Sequence, residues 1–156
     1  MSELLELQKR VTDLETAVTH TQDRLESTIK HLLPSVTNHL ARVTEGLAQQ
    51  TLQMDVHRRK WNVIIHGIDG PAGEGEEVTR AASIDFARDK LKVADADSTR
   101  ISACHRLSKK VDAGVIVRFT DLAQRDKWLA GAVHLKNINK KVTVSPDLPP
   151  AIRPLN

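Results

Sequence analysis

The sequence predicts an α+β protein in two parts, a long helical rod followed by a small mixed domain. Three observations predict it. Apolar residues recur every three or four positions through the first 57 residues. From Arg58 onward, short β-branched runs alternate with helical stretches. The charge reverses at the same point: residues 1–57 hold 5 Lys/Arg against 8 Asp/Glu, and residues 58–156 hold 18 against 12. The expected organisation is an acidic oligomerisation rod over 1–57, a basic head over 58–146 and a tail over 147–156.

In the rod, Leu4, Leu7, Val11, Leu14, Val18 and Leu25 follow a three-four spacing, with Thr21 in the missing slot. That is the heptad pattern of a coiled coil. It continues through Ile29, Leu33, Val36, Leu40, Val43, Leu47 and Met54. Leu25 and Val36 are eleven residues apart, a spacing that locally relaxes a left-handed supercoil. Pro34 lies in that stretch, where it removes a backbone hydrogen bond and crowds the preceding turn at about 3 kcal/mol. The expectation is a kink or break near 31–36, then a second helix to about Met54 that Gly46 weakens.

The residues beside the seam indicate how many chains associate. With Val11 at position a and Leu14 at d, Arg10 falls at g and Glu15 at e. Arg10 can lay its stem over the seam and reach Glu15 of a neighbouring helix. The Arg-h-x-x-h-Glu pattern (h, apolar) goes with parallel three-stranded coils, so a homotrimer is expected ahead of a dimer, and either ahead of a helix packed on its own head. Exposed flanking pairs are worth well under about 1 kcal/mol each. Arg10 and Glu15 would therefore select the state more than hold it.

The head opens on Trp61-Asn62-Val63-Ile64-Ile65-His66-Gly67-Ile68, a strand pattern. Gly70, Pro71, Gly73 and Gly75 mark a mobile acidic loop. Glu76 to Leu91 reads as a helix with Val78, Ala82 and Phe86 along one side and Ile84, Ala87 and Leu91 beside them. Ile101 to Leu107 is a second strand, residues 109–114 a basic turn, and Val115-Ile116-Val117-Arg118-Phe119 a third strand. Thr120 or Asp121 caps a helix that runs to about Ala132, and residues 141–144 form a last short strand. The order β-α-β-β-α-β is the ferredoxin-like arrangement used by RNA-recognition domains, an architecture that does not by itself name a function.

Strand alternation then assigns faces. Val63, Ile65, Val115, Val117 and Phe119 would face the helices, while Asn62, Ile64, His66, Ile116 and Arg118 would face outward. RNA-recognition domains ordinarily place aromatics on the outer face to stack bases. This chain has only 2 Trp, 2 Phe and no Tyr, so base stacking on the sheet is not expected. Trp61 and Trp128 read as core anchors. What remains is cationic: Arg58, Arg59, Lys60, His105, Arg106, Lys109, Lys110, Arg118, Lys136, Lys140 and Lys141. Such a set predicts binding dominated by the phosphate backbone, weakly selective and sensitive to salt.

Composition excludes several classes. A single cysteine, Cys104, permits no intramolecular disulfide and suits a reducing compartment. Zinc-ligand spacing is absent, and His20, His31, His39 and His57 share no metal register, so no metal or cofactor is expected. Cys104 has no neighbouring base and orienting group to make it a nucleophile. Glu74, Glu76 and Glu77 suit a helix start rather than a catalytic pair. Phosphate-loop and hydrolase signatures do not occur, so an enzyme is not expected. No apolar run reaches the roughly 18 residues of a membrane span, and the acidic start at Glu3 lacks a signal-peptide pattern. An intracellular protein without a membrane partner is expected, as a cytoplasmic or nuclear ribonucleoprotein.

Four segments together resemble a known family. Asn62 to Ile68, Cys104-His105-Arg106-Leu107, Val115 to Phe119 and Asp147-Leu148-Pro149-Pro150 fall in the order and spacing of the first-open-reading-frame protein of LINE-type retrotransposons. The coiled coil and its trimer motif are similar as well. The resemblance implies a homotrimeric coiled coil with an RNA-recognition domain that coats RNA and acts as a nucleic-acid chaperone. It places Asn62, Arg106 and Arg118 on the RNA. In the family a C-terminal domain begins just after the Asp147 motif, so residues 147–156 would be the start of a missing domain. The expected function is thus a homotrimeric, non-enzymatic binder of RNA and single-stranded DNA. The alternative is a coiled-coil scaffold whose head binds a protein through Ile64 and Ile116.

Overall fold

The computed structural model describes residues 1–154. The chain divides into two compact units, Met1–Gln50 and Thr51–Asn156.

The first unit lies within helix α1, Ser2–Arg59. Its seam residues from Leu4 to Met54 are all exposed, between 44% and 67%. No residue of α1 is buried. The helix passes through Pro34 without a break and ends at Arg59 rather than near Met54. The break expected near 31–36 is therefore absent, and the helix end moves from Met54 to Arg59. Proline deletes one bond, but propagation adds a bond for each residue fixed on either side of it. Threonines are accommodated by donating to the carbonyl one turn back, as Thr37 does to Leu33 at 2.8 Å.

The second unit carries β1 (Asn62–His66), α2 (Glu76–Asp89), β2 (Ile101–Arg106), β3 (Val115–Phe119), α3 (Leu122–Gly131) and β4 (Thr143–Pro146). The strands form one antiparallel sheet in the order β2-β3-β1-β4. Every strand expected from the sequence is present, with ends shifted by a few residues. The boundary between units falls at Gln50/Thr51, so the last turns of α1 belong with the head.

Alternation along β1 and β3 buries Val63, Ile65, Val115, Val117 and Phe119, as expected. Across the core, Phe119 meets Trp128 edge-on at 5.0 Å between ring centres. Asp121 caps α3 by accepting from the amides of Ala123 and Gln124. Of the residues expected on α2, Ile84, Ala87 and Leu91 are buried, and Ala82 and Phe86 pack against the core, but Val78 does not. Val78 is 59% exposed, and the face against the sheet is Thr79, Ser83, Ile84 and Ala87. Small side chains let the helix approach, and both hydroxyls return to backbone carbonyls: Thr79 to Gly75 and Ser83 to Thr79. β2 lies at the sheet edge, where α2 covers it in part. The Cys104 amide donates to Glu76, and Arg80 donates to the carbonyl of Ile101.

Candidate nucleic-acid interface

Strand register decides which candidate residues share an end of the sheet. Ile65 lies opposite Val115 and Asn62 opposite Arg118. Thr143 lies beside His66. The hairpin joining β2 to β3, with Lys109 and Lys110, is therefore at the His66 end. So is the segment entering β4, with Lys136, Lys140 and Lys141. Gly114 lies against the His66 ring and Gly67 against Val142, so both basic segments meet the β1 terminus. Arg58, Arg59, Lys60, Asn62 and Arg118 are at the opposite end, about 13 Å along the strand. His105 sits between, opposite Ile116.

The two ends differ in how free their cations are. Lys109, Lys110, Lys140, Lys141 and His105 are exposed, and among the described residues none of them makes an ion pair. Arg58 and Arg118 share that freedom at the far end. Lys60 lies over the Trp61 ring at 5.2 Å from its centre. The Arg59 guanidinium is engaged. Its Nε donates to Asp55 at 2.7 Å and its Nη1 to Asp147 at 2.9 Å. Those two bonds, Asp55 first, raise its pKa above the ordinary arginine value. Asn62 donates its amide to the other Asp147 oxygen at 3.0 Å, and its own Oδ1 is buried without a partner. The Asp147 side chain is only 4% exposed. Asp147 and the buried Pro149 thus pack with the head rather than lying in a separate tail.

Arg106 requires the largest correction. The resemblance places it on RNA, yet its side chain is 5% exposed and paired at 2.9 Å with Glu74, itself 5% exposed. The same guanidinium donates to the carbonyls of Ile68, Ala113 and Asp69. It joins the loop after β1 to the β2–β3 hairpin from inside. A second tie runs alongside: Asp112 donates its amide to the Gly70 carbonyl, and Gly70 donates to the Asp112 carboxylate at 2.8 Å. The loop expected to be mobile is therefore fastened at Gly70 and Glu74. The Thr79 hydroxyl, and then Arg106, hold the Glu74 carboxyl below its usual range despite burial. Glu74, an acid of the glycine-rich loop before α2, is thus one half of an internal ion pair.

Cys104 is buried with its sulfur 3.4 Å from the Ser83 hydroxyl, and burial raises its pKa. That is the setting of an inert core thiol. Among the described residues no cluster of three His, Cys, Asp or Glu could hold a metal. No helix among them is long and apolar enough to cross a membrane. One outward residue gained importance over its sequence reading. His66 sits over Gly114, and the pairing of a histidine with a glycine at the next strand's start is the signal that marks it. Neither the protein-family models nor the curated proteins contain a match to this chain.

Proposed function

We propose that the chain is a homotrimeric, non-enzymatic binder of single-stranded nucleic acid, RNA first, that holds strands by their phosphates and coats or anneals them. In this reading α1 is a parallel coiled coil and the head a ferredoxin-like RNA-recognition-type domain, in keeping with retrotransposon first-open-reading-frame proteins. The observation that carries it is the pair of basic segments at one end of the sheet, Lys109-Lys110 and Lys140-Lys141, which flank His66 and have no acid partner among the described residues. The heptad seam of α1, exposed along its length, supports the trimer. Antiparallel strand order β2-β3-β1-β4 supports the fold assignment.

Each head by itself grips weakly, since lysine–phosphate contacts carry no base information. Tethering three heads makes the second and third contacts intramolecular, which raises overall affinity without new contacts. Two measurements test this. Light scattering should return three times the 17.3 kDa chain mass. An anisotropy titration with single-stranded RNA should lose affinity steeply with salt. Four lysines neutralising one phosphate each correspond to a slope of about −3 per head in log K against log salt. A 17.3 kDa particle, or affinity that ignores salt, overturns the proposal.

A further inference from the structure

The open face has one position built to receive a planar group. His66 ends β1 on the same face as Asn62 and Ile64, and it is exposed. The ladder sets Ile65 opposite Val115, so the next outward pair is His66 with Gly114. Gly114 has no side chain, and the imidazole occupies the space one would fill. A methyl group at Gly114 would fall 2.7 Å from both Cε1 and Nδ1 of the ring, and 3.1 Å from Cδ1 of Leu107. The ring is thus seated over Gly114, just before β3, with Leu107 alongside. Thr143 lies on its other flank. A seated ring loses little further freedom when a ligand covers it, which favours stacking over a mobile contact.

The surroundings say what would cover it. Lys109 and Lys110 belong to the hairpin that Gly114 closes, and Lys140 and Lys141 precede the Val142 that packs on Gly67. Cations on both sides can hold the phosphates flanking one nucleotide. Imidazole is among the rings on which unpaired bases stack.

We propose that His66, seated over Gly114, is a stacking platform for one unpaired nucleobase, with the lysines of the two adjoining segments holding the phosphates on either side. The inference rests on the single-strand reading above, and adds a base contact to a face otherwise poor in rings. It is tested on the full chain by anisotropy, using a single-stranded oligouridylate and an abasic strand of equal length. His66→Ala should weaken oligouridylate binding between about fivefold and a hundredfold per head, the range for one stacked base. It should leave abasic binding unchanged, and His66→Phe should restore the loss. Equal loss on both strands, or rescue by His66→Lys but not by His66→Phe, would make the imidazole a mere cation on phosphate and overturn the platform. An unaltered affinity in His66→Ala overturns it as well. Failure of the unaltered protein to bind either strand would instead sink the nucleic-acid reading beneath it.

Discussion

Replacing Arg106 with alanine separates a structural arginine from an RNA-contacting one. Its guanidinium and the Glu74 carboxylate are each 5% exposed and 2.9 Å apart. Arg106→Ala leaves Glu74 with only the Thr79 hydroxyl as a donor, and takes the guanidinium from the carbonyls of Ile68 and Ala113. Removing one partner of a buried pair costs about 3–5 kcal/mol. In a domain of about 100 residues, each kcal/mol moves the melting midpoint by about 4–8 °C, so the head should melt about 12–40 °C lower. Since small domains hold only about 5–15 kcal/mol in all, the variant should be marginal at 37 °C. Tryptophan fluorescence is the suitable assay, because both tryptophans, Trp61 and Trp128, lie in the head and a melting rod is silent. The double variant Arg106→Met with Glu74→Gln removes the stranded charge. It should recover the greater part of the loss, leaving about 1–3 kcal/mol for carbonyls without their donor. If Arg106→Ala instead unfolds within about 0.5 kcal/mol of the unaltered protein and loses RNA affinity, the buried-clamp reasoning is refuted. The arginine would then belong on the ligand, as the family resemblance implies.

The same clamp makes Gly70→Ala costly. A methyl group there would collide with Nη2 of Arg106. That guanidinium is pinned by Glu74, Ile68 and Ala113 and has nowhere to move, so a loss of about 1–3 kcal/mol is expected in a urea titration. Acid should loosen the head in a defined direction. The folded pKa of Glu74 lies below its ordinary value of 4.5, so its contribution is complete above that value and disappears as pH falls through the folded one. Urea midpoints at pH 7, 5 and 3.5 should therefore drop mainly in the last interval, and Glu74→Gln should flatten that drop. In the rod, Val11→Ser with Leu14→Ser removes two seam side chains per chain, each worth about 1.5–3 kcal/mol when buried. Sedimentation should show the proposed trimer shifting toward single chains, while head fluorescence stays unchanged.

Much of the fold was legible because its signals are periodic. The three-four spacing marked α1, and alternation in Val115 to Phe119 placed β3 and its inward face. Where the reading failed, a non-periodic interaction had intervened. Around α2 the pattern finds Ile84, Ala87 and Leu91 and wrongly includes Val78, but misses Thr79 and Ser83, whose hydroxyls count as polar in any hydropathy pattern. Their hydrogen bonds to the helix backbone let them be buried. At Pro34 the local penalty is outweighed by the cooperative helix on either side, so α1 runs through it without a break.

The candidate site was legible only in part, and β2 shows why. Ile101 and Cys104 are both buried although three residues apart, which a regular strand cannot achieve. A shift of register between Ile101 and Ala103 resolves this by inserting an extra residue. From Cys104 onward, alternation is regular: Cys104 inward, His105 outward, Arg106 inward. The parity that buries Cys104 therefore already turns Arg106 away from the open face. A buried arginine demands an acid, and the loop that approaches it offers Glu74. Charge alone made Arg106 look like a ligand contact, whereas charge together with parity makes it a clamp. The same logic leaves Arg118 and the two lysine pairs as exposed cations free of ion pairs, with His105 exposed between them. The buried Arg106 also gives a reason that one basic segment holds its shape: the internal arginine and the Asp112–Gly70 tie fix the hairpin that presents Lys109 and Lys110. If the proposed function holds, cations on a fastened hairpin give up less freedom on meeting a polyanion, a saving that matters most for weak lysine–phosphate contacts made by tethered heads.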